Sequence, residues 1–102
     1  MIHVIATITV KPGRRDAFLI EFQRIVPKVH AEAGCIEYGP AVEVESGIAV
    51  QAPPREDVVV VIEKWQSLAA LKEHMQAPHM AEYRIRVKDL VVSVQLQILQ
   101  PA

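Results

Sequence analysis

The sequence predicts an α+β protein, with a single domain over residues 1–102 and the element order βαββαβ. Stretches of strand length carry alternating or continuous apolar residues, and two longer segments repeat apolar residues every three or four positions. This order is that of a ferredoxin-like sandwich, in which helices cover one face of a four-stranded antiparallel sheet. A length of 102 residues fits one domain of this kind.

The first strand is predicted at Ile2–Val10, where apolar side chains occupy every second position. Lys11-Pro12-Gly13 predicts a turn. A helix should follow from about Arg14 to Ala33. Its apolar stripe recurs at spacings of four, three and four residues, at Phe18, Phe22, Ile25 and Val29.

Two residues of this helix segment predict local geometry. Pro27 lies inside the helix and lacks the amide hydrogen that would bond to the carbonyl of Gln23, so a kink is expected. Gly34 is predicted to end the helix as a left-handed cap.

The second strand is predicted from about Cys35 to Glu45, with a bulge or bend at Gly39-Pro40. Ile48–Gln51 suggests a short extra strand. The stretch from Glu45 to Asp57 is expected to form a long connection that covers either a partner or the mouth of a cavity.

The third strand, Val58–Trp65, begins with five consecutive apolar residues. A sheet with one wet face should instead alternate apolar and polar side chains. Because the helices can cover only one face, we expect a homodimer packed through the β-sheet face. The alternative is a monomer with a short, buried central strand.

The second helical segment is predicted in two parts. Ser67 is a good N-cap for a helix that buries Leu68, Leu71 and Met75. Pro78 suits the first position of the next helix.

This last helix should bury one stripe and point its cations toward water. The stripe comprises Met80, Tyr83, Val87 and Leu90, and the cations are Arg84, Arg86 and Lys88. The final strand is predicted at Val91–Leu99, where apolar residues again alternate with polar ones.

Composition excludes several classes of protein. A net charge of −1 gives no reason to expect a nucleic-acid partner, and no apolar run is long enough for a membrane span. A single cysteine, Cys35, fits a reducing, cytoplasmic location. Neither a G-x-G-x-x-G motif nor a P-loop is present, so no nucleotide cofactor is indicated.

Four motifs resemble those of the antibiotic biosynthesis monooxygenase family in their order and spacing. They are K-P-G-R at residues 11–14, A-G-C-I-E-Y at 33–38, E-K-W-Q-S-L-A-A-L-K-E-H at 63–74 and A-P-H-M at 77–80. The resemblance spans nearly the whole chain and implies a dimeric α+β barrel. It is greatest to the small, cofactor-free quinol monooxygenase type. The family also includes haem-degrading proteins and members without known activity.

The resemblance places a cavity between the sheet and the helices. Glu63 and Trp65 lie two apart on one strand, so they share the face that lines this cavity. We expect His74 to reach over it as the catalytic base, oriented by Glu63, with Trp65 as a flat wall for an aromatic ring. The alternative is that all three are structural: an ion-paired acid, a helix-edge histidine and a core tryptophan.

Tyr38, Tyr83 and His79 are the further candidates for substrate binding. The tyrosines offer phenolic hydrogen bonds, although Tyr83 also fits the core, and His79 at a helix start also fits the surface. The spacing of Glu63, His74 and His79 matches no known metal-ligand pattern, so no metal is expected.

The expected function is therefore a cofactor-independent monooxygenase that uses dioxygen on a quinol or phenol. The alternative is a non-catalytic dimeric protein of the same fold that binds a small molecule. Haem binding through His74 is disfavoured, because the chain has no asparagine, a residue that helps bind substrate in the haem-degrading branch.

Overall fold

The computed structural model describes residues 1–102 as a four-stranded antiparallel sheet with helices on one face. The elements are β1 (Ile2–Val10), α1 (Arg15–His30), β2 (Cys35–Ala41), β3 (Val58–Trp65), α2 (Leu68–Met75), α3 (Pro78–Val87) and β4 (Val91–Leu99). The strand order is β2-β3-β1-β4, with antiparallel pairing throughout. The predicted βαββαβ fold, with its second helix broken in two, is confirmed.

The core lies between the sheet and the helices. Every second residue of β1, from Ile2 to Val10, is buried against it, as the alternation predicts. The α1 stripe of Phe18, Phe22, Ile25 and Val29 is also buried. These residues share one apolar cluster with Tyr38, Val59, Val61, Trp65, Leu71, Met80, Tyr83 and Val87.

α1 ends earlier than predicted. It stops at His30, where the amide of Ala31 bonds back to the carbonyl of Pro27. Gly34 lies in the turn that follows, with φ of +86°, so it has the expected left-handed backbone without being the cap itself. The helix continues unbroken through Pro27, which faces solvent in its last turn.

β2 is shorter than predicted, and its irregularity lies elsewhere. It ends at Ala41, and the shift in its register with β3 falls between Cys35 and Glu37, not at Gly39-Pro40. Pro40 is tolerated because β2 is an edge strand. No strand forms at Ile48–Gln51.

The connection of residues 42–57 has no regular secondary structure. Arg55 Nε donates to Glu43 Oε1 at 2.8 Å and joins the two ends of this segment. Its apolar side chains are exposed, namely Val42, Val44, Ile48 and Val50.

The break between α2 and α3 follows the predicted capping. Ser67 Oγ accepts a hydrogen bond from the amide of Ala70, and Pro78 begins α3. α2 buries Leu71 and His74, whereas Leu68 and Met75, expected in the core, are about half exposed. They face the edge of the sheet, where the helix layer ends.

β4 lies at that edge and is exposed on both faces. Its residues Val94, Leu96 and Ile98 pair with Ile8, Ala6 and Val4 and therefore belong to the helix-facing side, yet each remains about half exposed. On the opposite side of the sheet no part of the chain forms a second layer. None of the helices is long and apolar enough to span a membrane.

Candidate active site

A cavity of about 400 Å³ lies between the sheet and the helices. Its walls are mostly apolar and come from the inward faces of all four strands and from all three helices. The lining residues are Ala6, Ile8, Phe22, Tyr38, Val61, Glu63, His74, Met75, Met80, Tyr83, Arg84, Val87, Lys88, Val91, Val94 and Leu96. Such a space suits a small aromatic ligand.

His74 is held on the inward side of α2 and is almost completely buried. Its Nδ1 lies 2.9 Å from Oε2 of Glu32. A carboxylate can only accept, so Nδ1 carries the hydrogen and Nε2 carries the lone pair. The partner of His74 is therefore Glu32, and the expectation that Glu63 orients this histidine was wrong.

Glu32 lies in the turn between α1 and β2 and contacts two histidines. The same oxygen, Oε2, also accepts from Nε2 of His79 at 2.8 Å. His79 does not line the cavity, so its expected contact with substrate is not present. Its contact with Glu32 instead places it behind His74. No sequence pattern marks Glu32, which is 42 positions from His74.

Glu63 and Trp65 share the helix-facing side of β3, as predicted. Trp65 Nε1 donates to Glu63 Oε1 at 2.9 Å, and the indole packs on the His74 ring with centroids 4.7 Å apart. Trp65 is fully buried and is not part of the cavity wall. The expectation that it contacts an aromatic substrate was therefore wrong, because the cavity is lined by its neighbours His74 and Glu63 and not by the indole itself.

Four residues of the cavity wall each carry a polar atom that has no hydrogen-bond partner in the protein. Every buried side-chain nitrogen and oxygen has a hydrogen-bond partner. His74 Nε2, Glu63 Oε2 and the hydroxyls of Tyr38 and Tyr83 have no such partner, so none of these four atoms is fully buried, and all four residues line the cavity. They are available to a bound molecule.

The electrostatics of these groups follow from burial. Burial lowers the pKa of His74, although the hydrogen bond to Glu32 opposes this, and the imidazole is neutral near pH 7. Burial raises the pKa of Glu63 to about 7, against the opposing hydrogen bond from Trp65. Burial likewise raises the pKa of Tyr38 and Tyr83, so both remain protonated donors.

The two tyrosines are packed against aromatic rings of the core, and Tyr38 also contacts His74. The ring of Tyr38 stacks on Phe22 with centroids 5.5 Å apart, and meets His74 edge-on at 5.3 Å. Tyr83 meets Phe22 and Phe18 edge-on. Their hydroxyls are thus held on rigid rings.

Two cations lie at the cavity opening. Arg84 and Lys88 line the cavity but are exposed, whereas the histidine and carboxyl groups are buried. Arg84 Nη2 donates to the carbonyl of Met75, the last residue of α2, at 2.9 Å. The prediction that Arg84, Arg86 and Lys88 point toward water is confirmed, and Arg84 and Lys88 line the cavity as well.

The structure contains no group of three or more His, Cys, Asp or Glu side chains arranged to hold a metal ion. What the cavity presents instead is a neutral base with a fixed tautomer, a carboxyl group that titrates near neutral pH and two phenol donors. This set can remove a proton from a bound hydroxyl and return one to a product.

The chain is similar to several known proteins over nearly its full length. It is 43% identical to the Probable quinol monooxygenase YgiN of Escherichia coli K12, covering 99% of this chain and 98% of that protein. It is 33% identical to YcnE of Bacillus subtilis, covering 89% and 86% of the two chains.

Solved structures agree with the fold. PA3566 from Pseudomonas aeruginosa superposes with a TM-score of 0.81 at 27% identity, covering 99% of this chain and 93% of that one. Rv0793 from Mycobacterium tuberculosis gives a TM-score of 0.80 at 26% identity, covering 99% of this chain and 94% of that one. The family model described as antibiotic biosynthesis monooxygenase matches residues 1–85. The chain therefore belongs to the antibiotic biosynthesis monooxygenase family.

Proposed function

We propose that the protein is a cofactor-independent monooxygenase that acts on a quinol or phenolic aromatic small molecule. One observation carries the proposal: the buried His74 directs an unpartnered Nε2 into an apolar cavity while Glu32 holds its Nδ1. The name of the Escherichia coli relative, "Probable quinol monooxygenase YgiN", supports the same reaction class.

The first step is removal of a hydroxyl proton from the substrate by His74 Nε2. The resulting imidazolium is stabilised by the Glu32 carboxylate, which lies 2.9 Å from Nδ1. Proton loss makes the aromatic ring electron-rich, and the apolar walls keep water away from the anion. The cavity also holds the anion and dioxygen next to each other, which favours their reaction.

The anion supplies the electrons that reduce dioxygen. A ring carbon bonds to one oxygen atom, and loss of water from the resulting hydroperoxide breaks the oxygen–oxygen bond. A hydroquinone and dioxygen thus give a hydroxyquinone and water, with no external reductant. Glu63, with a pKa of about 7, and the phenols of Tyr38 and Tyr83 are placed to donate hydrogen bonds or a proton to the departing oxygen.

We further propose that the working form is a homodimer packed through the second face of the sheet. On that face Ile5 lies opposite Ile62, and Thr7 lies opposite Val60. Ile62 is 39% exposed in the single chain. None of residues 42–57 lines the cavity. This favours the alternative in which the connection covers the partner subunit over the one in which it covers the cavity mouth. A cytoplasmic location also stays a prediction.

Oxygen uptake with a panel of hydroquinones tests the proposed reaction. With ¹⁸O₂, a monooxygenase gives one labelled atom in the organic product and one in water, whereas an oxidase gives labelled hydrogen peroxide. Ligand binding without oxygen uptake would instead support the non-catalytic binding protein. An absorption spectrum of the purified protein, checked for haem and flavin bands, tests cofactor independence in the same sample.

A further inference from the structure

Three cations follow Tyr83, namely Arg84 and Arg86 on α3 and Lys88 directly after it, and they differ in their surroundings. Arg86 is neutralised, because its Nε lies 3.2 Å from Glu21 Oε2 and its Nη1 lies 4.0 Å from Glu82 Oε2. Arg84 and Lys88 have no carboxylate within 4.0 Å, although the chain has twelve acidic residues.

The placement of the unpaired cations is also distinct. The helix dipole favours a cation near the C-terminal end of α3, but this effect applies equally to Arg84, Arg86 and Lys88 and does not distinguish them. Only Arg84 and Lys88 line the cavity. They are four positions apart on one side of the helix, where like charges repel each other unless an anion lies between them.

Arg84 is held in position by the end of α2. Its Nη2 donates to the Met75 carbonyl at 2.9 Å, and its Nε and Nη1 have no protein partner. A guanidinium fixed in this way still presents free N–H donors, which form strong, charge-assisted hydrogen bonds with a carboxylate. Lys88, one turn further along α3, adds a second positive charge at the same opening.

We propose that Arg84 and Lys88 form a carboxylate-binding subsite at the cavity mouth, so that the preferred substrate is a quinol or phenol bearing a carboxylate group. The inference rests on the proposed function, since it assumes that the aromatic ring enters the cavity toward His74. The ring lies among the apolar walls, and its acidic group stays at the opening, where the cations are exposed.

The test compares (2,5-dihydroxyphenyl)acetate with its uncharged amide, which has the same ring and nearly the same size. Anaerobic titration calorimetry measures binding without turnover. We expect the acid to bind about tenfold or more tightly than the amide, a factor typical of a charge-assisted hydrogen bond. Higher salt should weaken binding of the acid and leave the amide unchanged.

Substitutions test whether Arg84 and Lys88 cause the tighter binding of the acid. Arg84→Gln and Lys88→Gln should each reduce the acid-to-amide ratio, and the double variant should bring it near one, while affinity for the amide stays the same and reports an intact cavity. Arg86→Gln is the matched control and should keep the full ratio. Equal binding of acid and amide by the unmodified protein, including no binding of either, overturns the subsite. The subsite is also overturned if Arg86→Gln reduces the acid-to-amide affinity ratio as much as Arg84→Gln or Lys88→Gln does.

Aerobic turnover of the same compounds separates the two proposals. A clear preference for the acid in binding, with neither compound oxidised, supports the subsite and rejects the monooxygenase activity. Oxidation of both compounds with equal kcat/KM and equal affinity supports the activity and rejects the subsite.

Discussion

Oε2 of Glu32 lies 2.9 Å from Nδ1 of His74, although the two residues are 42 positions apart in the chain. The contact joins the turn after α1 to the inward side of α2. It fixes the imidazole tautomer so that the basic nitrogen faces the cavity, which is the arrangement a general base requires.

Substitution of His74 and Glu32 should therefore affect the reaction in different ways. His74→Ala removes the base and should lower kcat/KM by about 10²–10⁴-fold. Glu32→Gln keeps the size and an acceptor oxygen but removes the charge that raises the pKa of His74, so that pKa should fall further. The acidic limb of the kcat/KM pH profile should move to lower pH.

Glu73→Gln is the matched control for this experiment, because Glu73 is an exposed acid next to His74 on α2. Its pH profile should match that of the unmodified protein. An acidic limb that stays in place in the Glu32→Gln variant would contradict the assignment of Glu32 as the orienting group.

The buried Glu63 should make stability depend on pH. Its pKa is raised from 4.5 to about 7 in the folded protein, so the unfolded chain loses this proton first as pH rises. The free energy of unfolding should therefore fall between about pH 4.5 and 7, with a full contribution of roughly 3 kcal/mol. Glu63→Gln, which cannot ionise, should lack this contribution.

The comparison is made by urea unfolding of both proteins at pH 5 and pH 8. His74 acts in the opposite direction, since its lowered pKa makes stability rise with pH up to its ordinary value of 6.5. That contribution is present in both proteins and cancels in their difference. A constant difference between them at the two pH values would rule out the raised pKa of Glu63.

Gly34 should be the most sensitive glycine. A Cβ added there would lie 2.6 Å from Cβ of Ala70, and the backbone has φ of +86°. Gly34→Ala therefore combines left-handed strain with a clash between the turn and α2, and should cost about 2–4 kcal/mol of unfolding free energy. Gly13→Ala is the control, with φ of +77° but open space around it, and should cost about 1–2 kcal/mol. Equal losses in thermal or urea unfolding would mean that the contact with Ala70 is unimportant.

A charge on the second face of the sheet should disrupt the proposed dimer. Ile62→Asp places a carboxylate at the centre of that face, opposite Ile5. Because an obligate interface of roughly 2,000 Å² or more would bury it, we expect sedimentation to report a monomer. Ile85→Asp, at an exposed position on α3, should leave the dimer intact. A monomeric unmodified protein at micromolar concentration would reject the dimer itself.

Much of the fold could be predicted because periodicity reflects burial. The alternation of β1 and the stripes of α1 and α3 correspond to residues that the structure buries. Predictions were poorer where tertiary context decides. Leu68 and Met75 continue the α2 stripe, but the helix layer ends before β4, so both are half exposed. The apolar residues of 48–51 suggested a strand, yet no neighbouring strand is there to pair with them.

The candidate site could be predicted only in part. Glu63 and His74 lie in one recognisable segment, and the structure places both on the cavity. Glu32 carries no signal of its own, because an acid in a turn near the surface is common and its partner is distant in sequence. Strand geometry predicts the side of β3 on which Trp65 lies, but it does not predict how deeply the side chain is buried. Only the packed structure shows that the indole contacts His74 and does not line the cavity.

Trp65 is the only tryptophan in the chain, and it contacts both titrating groups of the site. Its fluorescence emission is therefore a built-in optical signal, without background from any other indole. Ionisation of Glu63 changes the charge at the indole hydrogen bond, and protonation of His74 places a quenching cation against the ring. A fluorescence titration of the unmodified protein would thus follow the protonation state of the candidate active site directly, without any added ligand.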